Sequence, residues 1–116
     1  MNTSYFSSPK IIKKDIKLVS ICRKTPNWFT VPHRNYKLLQ PEYDLIMSYK
    51  SKKITAEEYT KIYYRDVLNK LDPAKTYQEL GENSVLLCYE KSGEFCHRHL
   101  VGKWLMDNLG VIIMEL

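Results

Sequence analysis

The residues best equipped for chemistry crowd into one short stretch, LLCYEKSGEFCHRHL, residues 86–100. It carries Cys88 and Cys96, Glu90, His97, Arg98 and His99. A free thiol titrates at about 8.5, and a helix N-terminus or a neighbouring cation moves that value toward neutrality. Cys96, beside His97, Arg98 and His99, is therefore a candidate nucleophile or ligand-contacting thiol. The competing reading is a buried thiol that closes a helix against a sheet. Glu90 is a candidate general base or an acceptor for a ribose hydroxyl, with an ion pair to Arg98 or Arg23 as its alternative. Arg98 offers a planar fork suited to phosphate or carboxylate. In the first turn of a helix it would reinforce the anion-attracting dipole end. Cys96 and Glu90 are the catalytic candidates, and Arg98 is the anion holder.

Several familiar chemistries are excluded by spacing. A Cys-x5-Arg phosphate loop starting at Cys88 would need arginine at position 94, which is Glu94. Adjacent Cys96 and His97 are poorly spaced as zinc ligands and there is no CxxC pair, so no metal site is expected. The three cysteines (Cys22, Cys88 and Cys96) are odd in number. Together with the lack of a secretory pattern this favours free thiols and no disulfide. A GxGxxG dinucleotide loop is absent. Trp28 and Phe29, in a proline-punctuated loop, can stack a nucleobase or simply pin that loop. Tyr59, Tyr63 and Tyr64 are candidates to present hydroxyls to the same cleft.

The elements that would position these residues are legible from local patterns. Strands are expected at 3–7, 16–22, 84–90 and 111–115, the third with an unbroken apolar centre suited to burial on both faces. Helices are expected from Pro41, over 56–70 behind a Thr55-x-x-Glu58 capping box, over 73–80 after Asp72-Pro73, and over 96–109 with Gly110 as its stop. Residues 7–15 read as a loop with a helical turn, and 23–41 as a long loop. Strand, helix and strand over 84–116 make a βαβ unit. The fold class is therefore α/β: one domain over 1–116, with a four-stranded, mainly parallel, Rossmann-like sheet flanked by helices. In such a sheet ligands bind outside the carboxyl ends of the strands. Those ends carry Ser4, Cys22, Arg23, Cys88 and Glu90.

Composition sets the class. Hydrophobic residues are 44% and charged residues 27% of 116, an ordinary globular balance. The longest apolar runs, 85–89 and 111–114, fall far short of the ~18–20 residues of a membrane helix. The first residues, MNTSYFSSPKIIKK, show no basic segment followed by an apolar one, so a cytoplasmic protein is expected. A net charge of +5 favours an anionic small molecule as partner, with nucleic acid as the alternative and no membrane. The lysines, among them Lys10, Lys13, Lys14 and Lys17, are spread out and form no nucleic-acid tail.

LLCYEKSGEFCHRHLVGKWL (86–105) resembles the signature of the domain-of-unknown-function 488 family: a buried strand ending in Cys-x-Glu, a short loop, and Cys-His-Arg opening a helix. TSYF (3–6), SICRKTPNWF (20–29) and ITAEEYTKIYYRDVLNKLDP (54–73) are similar to its small, single-domain branch. The resemblance implies a compact α/β fold with a Rossmann-like sheet, found in bacteria, archaea and phages. It also implies a site at Cys88, Glu90, Cys96, His97 and Arg98, with the Thr3-Ser4 strand end nearby. It does not assign a reaction, and the cofactor is unknown. Longer members carry Asp-Val-Arg at the end of the second strand. Here Ser20-Ile21-Cys22-Arg23 has no acid, so a role for that carboxylate is not expected. The resulting expectation is a nucleotide-like or other phosphorylated ligand held at the Cys-x-Glu/Cys-His-Arg site, with or without catalysis. Trp28 would wall the site, and Thr3, Ser4, Cys22, Arg23, Cys88, His97 and Arg98 would contact the ligand. The alternative is a non-catalytic protein that sequesters a signalling nucleotide or docks to a protein or nucleic acid.

Overall fold

In the computed structural model, which describes residues 1–13 and 15–116, the apolar run before Glu90 is the middle of a parallel sheet. Lys14 lies outside the described residues. The strands are β1 (Asn2–Tyr5), β2 (Lys17–Ser20), β3 (Arg34–Asn35), β4 (Ser84–Cys88) and β5 (Met114–Glu115), in the spatial order β3-β2-β4-β1-β5. Every pairing among the described strands is parallel. β4 is buried along its whole length. It pairs with β1 from Asn2↔Val85 to Tyr5↔Cys88, and with β2 from Lys17↔Ser84 to Ser20↔Leu87. Its apolar run thus fills a position with strands on both sides and cover on both faces, the setting in which alternation is not required.

The α/β expectation holds, with five strands among the described residues rather than four. The added strand, β3, lies inside the expected 23–41 loop. It is two residues long and paired only to β2, too short to leave a periodic signal. β5 is shorter than expected, although the chain continues the ladder where the Leu116 amide donates to the Thr3 carbonyl at 2.9 Å.

The helices are α1 (Tyr43–Lys50), α2 (Ala56–Asp66), α3 (Pro73–Leu80) and α4 (His97–Leu109), with 3-10 turns at Pro9–Ile11, Lys37–Leu39 and Leu68–Lys70. Three of their termini follow the expected chemistry, whereas α1 begins at Tyr43 behind Glu42 rather than at Pro41, because Glu42 is still extended. Thr55 and Glu58 form the reciprocal capping box of α2, and the Asp72 carboxylate caps α3. Gly110 closes α4 in the left-handed conformation at φ 69°, which glycine adopts without steric cost. α2 ends at Asp66, earlier than expected, because Val67 leaves helical geometry and the chain tightens into the Leu68–Lys70 turn.

The two sheet faces are covered differently. Val19 and Leu86 pack with Leu45, Tyr59, Tyr63, Leu80, Val101, Trp104 and Leu105, drawn from all four α-helices. Leu18, Val85 and Leu87 pack instead with Phe6, Ile11 and Phe29, from loops and a 3-10 turn. The expected flanking by helices is thus met by α-helices on one face only. Among the described residues no helix is long and apolar enough to cross a membrane.

Candidate functional site

A cavity of about 600 Å³ opens at the carboxyl ends of β2 and β4, against the start of α4. Its floor is a cluster of three buried side chains. Cys88 is the last residue of β4, Cys96 is the N-cap of α4, and His97 is the first residue of that helix. One atom from each lies within 4.8 Å of the others. Cys96 has extended backbone angles while His97 begins the helix. This change of direction lets two consecutive side chains converge.

His97 is held in one orientation by a bond across the sheet. Its Nε2 lies 2.8 Å from the Ile21 carbonyl oxygen. A carbonyl only accepts, so Nε2 carries the hydrogen and Nδ1 presents its lone pair. That lone pair faces Cys88 Sγ at 3.3 Å and Cys96 Sγ at 3.8 Å. Burial pushes the His97 pKa down to about 4, against the opposing pull of the Ile21 bond and with help from the Arg98 charge. The imidazole is neutral near neutral pH.

The cysteines correct one expectation. Cys88 and Cys96 are paired as a disulfide, with Cα atoms 7.2 Å apart, and Cys22 is free. An odd count requires at least one unpaired thiol but does not forbid one pair, and the short 89–95 loop folds Cys96 back onto the end of β4. Cys22 lines the cavity. Its sulfur donates to the Lys24 carbonyl at 3.2 Å and lies 3.3 Å from the Ser20 hydroxyl. Burial raises its pKa despite these bonds, which keeps it a thiol.

Above the floor the walls are mostly aromatic. Phe95 sits 5.1 Å from both the Tyr49 and Tyr59 rings, and Tyr43 and Tyr89 line the cavity together with the aliphatic Pro41, Ile46 and Met47. The Tyr89 hydroxyl donates to the Lys24 carbonyl, tying the end of β4 to the chain after β2. Arg23, Lys24 and Lys50 supply positive charge, and none of them is in an ion pair among the described residues. Glu90 also lines the cavity, its Oε2 3.6 Å from Cys88 Sγ.

The expected site residues therefore separate into two groups. Cys22, Arg23, Cys88, Glu90, Cys96 and His97 meet around the cavity. Thr3, Ser4, Arg98 and Trp28 do not. Arg98 is 0% exposed and turns toward β5, where Nε and Nη2 donate to Glu115 at 3.1 and 2.7 Å. It does not share a cleft with Glu90, and its carboxylate partner is neither Glu90 nor a ligand. Thr3 Oγ1 and Ser92 Oγ donate to the same carboxylate at 2.6 and 3.0 Å. Burial works to raise the Glu115 pKa, but these hydrogen bonds and the Arg98 charge overcome it and bring it down to about 2. Ser4 Oγ and Arg98 Nη1 are buried with no partner among the described residues. Trp28 is 62% exposed and packs edge-on against Phe29. Of the candidate tyrosines, Tyr59 lines the cavity. Tyr63 is buried in the core and its hydroxyl donates to the Leu39 carbonyl.

Two features escaped the sequence reading. Glu115 lies outside every motif, although a single acid in the apolar run VIIMEL is itself a signal of a buried pair. The Tyr49–Phe95 contact joins α1 to the loop before α4, and no local pattern announces it.

The chain belongs to the DUF488 family: the family described as the active DUF488-N3 subclade, DUF488-N3a, matches residues 10–109. Nothing among curated proteins and nothing among solved structures matches it.

Proposed function

With DUF488 membership as the premise, we propose that residues 1–116 act as one domain that binds an anionic, planar ligand of the nucleotide class in the cavity at the ends of β2 and β4. One observation carries this reading: a single cavity combines the Tyr49–Tyr59–Phe95 aromatic cluster, the cations Arg23, Lys24 and Lys50, and a buried Cys–His floor. Aromatic faces accept a base by stacking, worth ~1–3 kcal/mol per base where it occurs. Free cations at the same opening attract phosphate. The anion-holding role expected of Arg98 passes to these three residues, because Arg98 is already neutralised by Glu115. The description of the subclade as active supports chemistry at the floor. In the reduced chain Cys88 and Cys96 present thiols to the ligand, and Glu90 accepts a proton or a hydrogen bond from a ribose hydroxyl. The non-catalytic alternative is favoured by one observation, the Cys88–Cys96 bond, which leaves neither sulfur nucleophilic.

Calorimetric titration with nucleoside monophosphates, the matching nucleosides and inorganic phosphate tests the proposal. A monophosphate should bind more tightly than its nucleoside or phosphate alone. Arg23→Ala and Lys50→Ala should weaken the monophosphate and leave the nucleoside unchanged. Absence of binding by every monophosphate at millimolar concentration would overturn it. Turnover of a bound nucleotide by reduced but not oxidised protein would select the catalytic form.

A further inference from the structure

We infer that the reduced Cys88–Cys96–His97 floor is a binding site for a thiophilic divalent cation of the zinc class. The inference goes beyond the ligand reading and does not depend on it.

The ligand types are the first ground. Two cysteine sulfurs and a neutral imidazole nitrogen form a soft donor set of the kind zinc takes, and the cluster is buried. The second ground is the orientation of His97. The Ile21 carbonyl holds the Nε2 hydrogen at 2.8 Å, so the Nδ1 lone pair is left for another partner and aims at the sulfurs. A backbone carbonyl gripping the far ring nitrogen is how a protein commonly fixes a metal-binding histidine.

The third ground is metric. Tetrahedral zinc, with bonds of about 2.3 Å to sulfur and about 2.0–2.1 Å to nitrogen, sets sulfur-to-nitrogen edges of about 3.6 Å and a sulfur-to-sulfur edge of about 3.8 Å. The two sulfur-to-nitrogen separations here are 3.3 and 3.8 Å. Only the sulfur pair must move apart, which requires breaking its bond. The Cα atoms of Cys88 and Cys96 are 7.2 Å apart, beyond the usual span of about 4.4–6.8 Å for bridged cysteines, so the backbone already leaves room. All three residues line the cavity, so a fourth position can open to it, and Glu90 Oε2 lies 3.6 Å from Cys88 Sγ. Three protein ligands and one position open to a cavity are the layout of a catalytic rather than a closed structural metal site.

Reduction delivers two electrons and two protons to the disulfide: a dithiol supplies both and becomes a disulfide, whereas a phosphine supplies the electron pair, water supplies the protons, and the phosphine leaves as its oxide. Binding the cation then releases the thiol protons to solvent.

The test uses the full chain, reduced with a phosphine, stripped of metal by a chelator, and titrated with Co²⁺ and then Zn²⁺ without nucleotide. The expected result is about one Co²⁺ per chain, with thiolate-to-cobalt charge-transfer bands that Zn²⁺ abolishes. Cys96→Ser and His97→Gln should reduce the bound equivalent and weaken the bands. Should either variant fail to fold, the wild-type protein decides through alkylation mapped by mass spectrometry. Zn²⁺ should protect Cys88 and Cys96, while Cys22 labels at the same rate with and without the metal. Absence of charge-transfer bands, or equal labelling of Cys88 and Cys96 with and without Zn²⁺, would overturn the inference. Failure here leaves the nucleotide titration untouched, and failure there leaves the cobalt spectrum untouched.

Discussion

His97 and Arg98 are consecutive and both fully inside the protein, yet they serve opposite regions. His97 faces the sulfurs and the cavity at the ends of β2 and β4, whereas Arg98 faces Glu115 on β5. Each meets the cost of burial in its own way. The imidazole stays neutral, with one nitrogen bonded to Ile21 and the other turned to the Cys88 and Cys96 sulfurs. The guanidinium is matched by a carboxylate that also accepts from Thr3 and Ser92. A region whose charge is internally matched is closed to ligands and holds structure together. One whose lone pair and cations are unclaimed is open to chemistry. The most conspicuous cation of the motif thus belongs to the closed region, and the candidate ligand contacts belong to the plainer residues Arg23, Lys24 and Lys50.

This contrast can be broken most forcefully at Glu115. Glu115→Ala strands a fully buried guanidinium and should cost ~3–5 kcal/mol of stability, measured by urea unfolding. Arg98→Ala should cost less, because Glu115 is 21% exposed and can regain water. Equal, near-zero losses for both would show that the pair does not close this region.

Acid should reach the same pair. The Glu115 pKa lies near 2 when folded, below the 4.5 of an ordinary glutamate. The folded state therefore binds fewer protons than the unfolded one between those values. The stabilisation is complete above about 4.5 and is lost as pH falls toward 2. The loss should be smaller than in Glu115→Ala, since a protonated carboxyl still fills the site and accepts hydrogen bonds. Unfolding curves between pH 6 and 2 should show this drop in the wild type and a shallower one in Glu115→Gln.

On the open side, His97→Ala removes the donor to a buried carbonyl and should cost ~1–3 kcal/mol. Unlike Arg98→Ala, it should also change the reactivity of the reduced thiols, read by alkylation rates. The smallest stability effect belongs to the cations of the cavity. Arg23→Ala and Lys50→Ala should stay within ~0.5 kcal/mol of wild type and act only on the anionic ligand. A large melting change in either would make that cation structural and move it to the closed group.

Local patterns alone were enough for a good part of this molecule. The burial of 85–88 follows from an unbroken apolar run. The starts of α2 and α3 follow from Thr55-Glu58 and Asp72-Pro73, and the end of α4 from Gly110, because each rests on residues within one turn of one another. The convergence of Cys22, Arg23, Cys88, Glu90, Cys96 and His97 was legible too, since parallel strands present their carboxyl ends together. What tertiary structure decided are the partnerships. Arg98 has a fork suited to any carboxylate, and only the return of β5 beside β1 makes that carboxylate Glu115, 17 residues on. His97 has two possible tautomers, and only the Ile21 carbonyl, 76 residues away, selects one. The closeness of Cys88 to Cys96 and the two-residue β3 rest likewise on neighbours brought by the sheet. Such pairings depend on where distant segments meet, and residue types along a chain specify which bonds a group can make but not which partner folding brings to it.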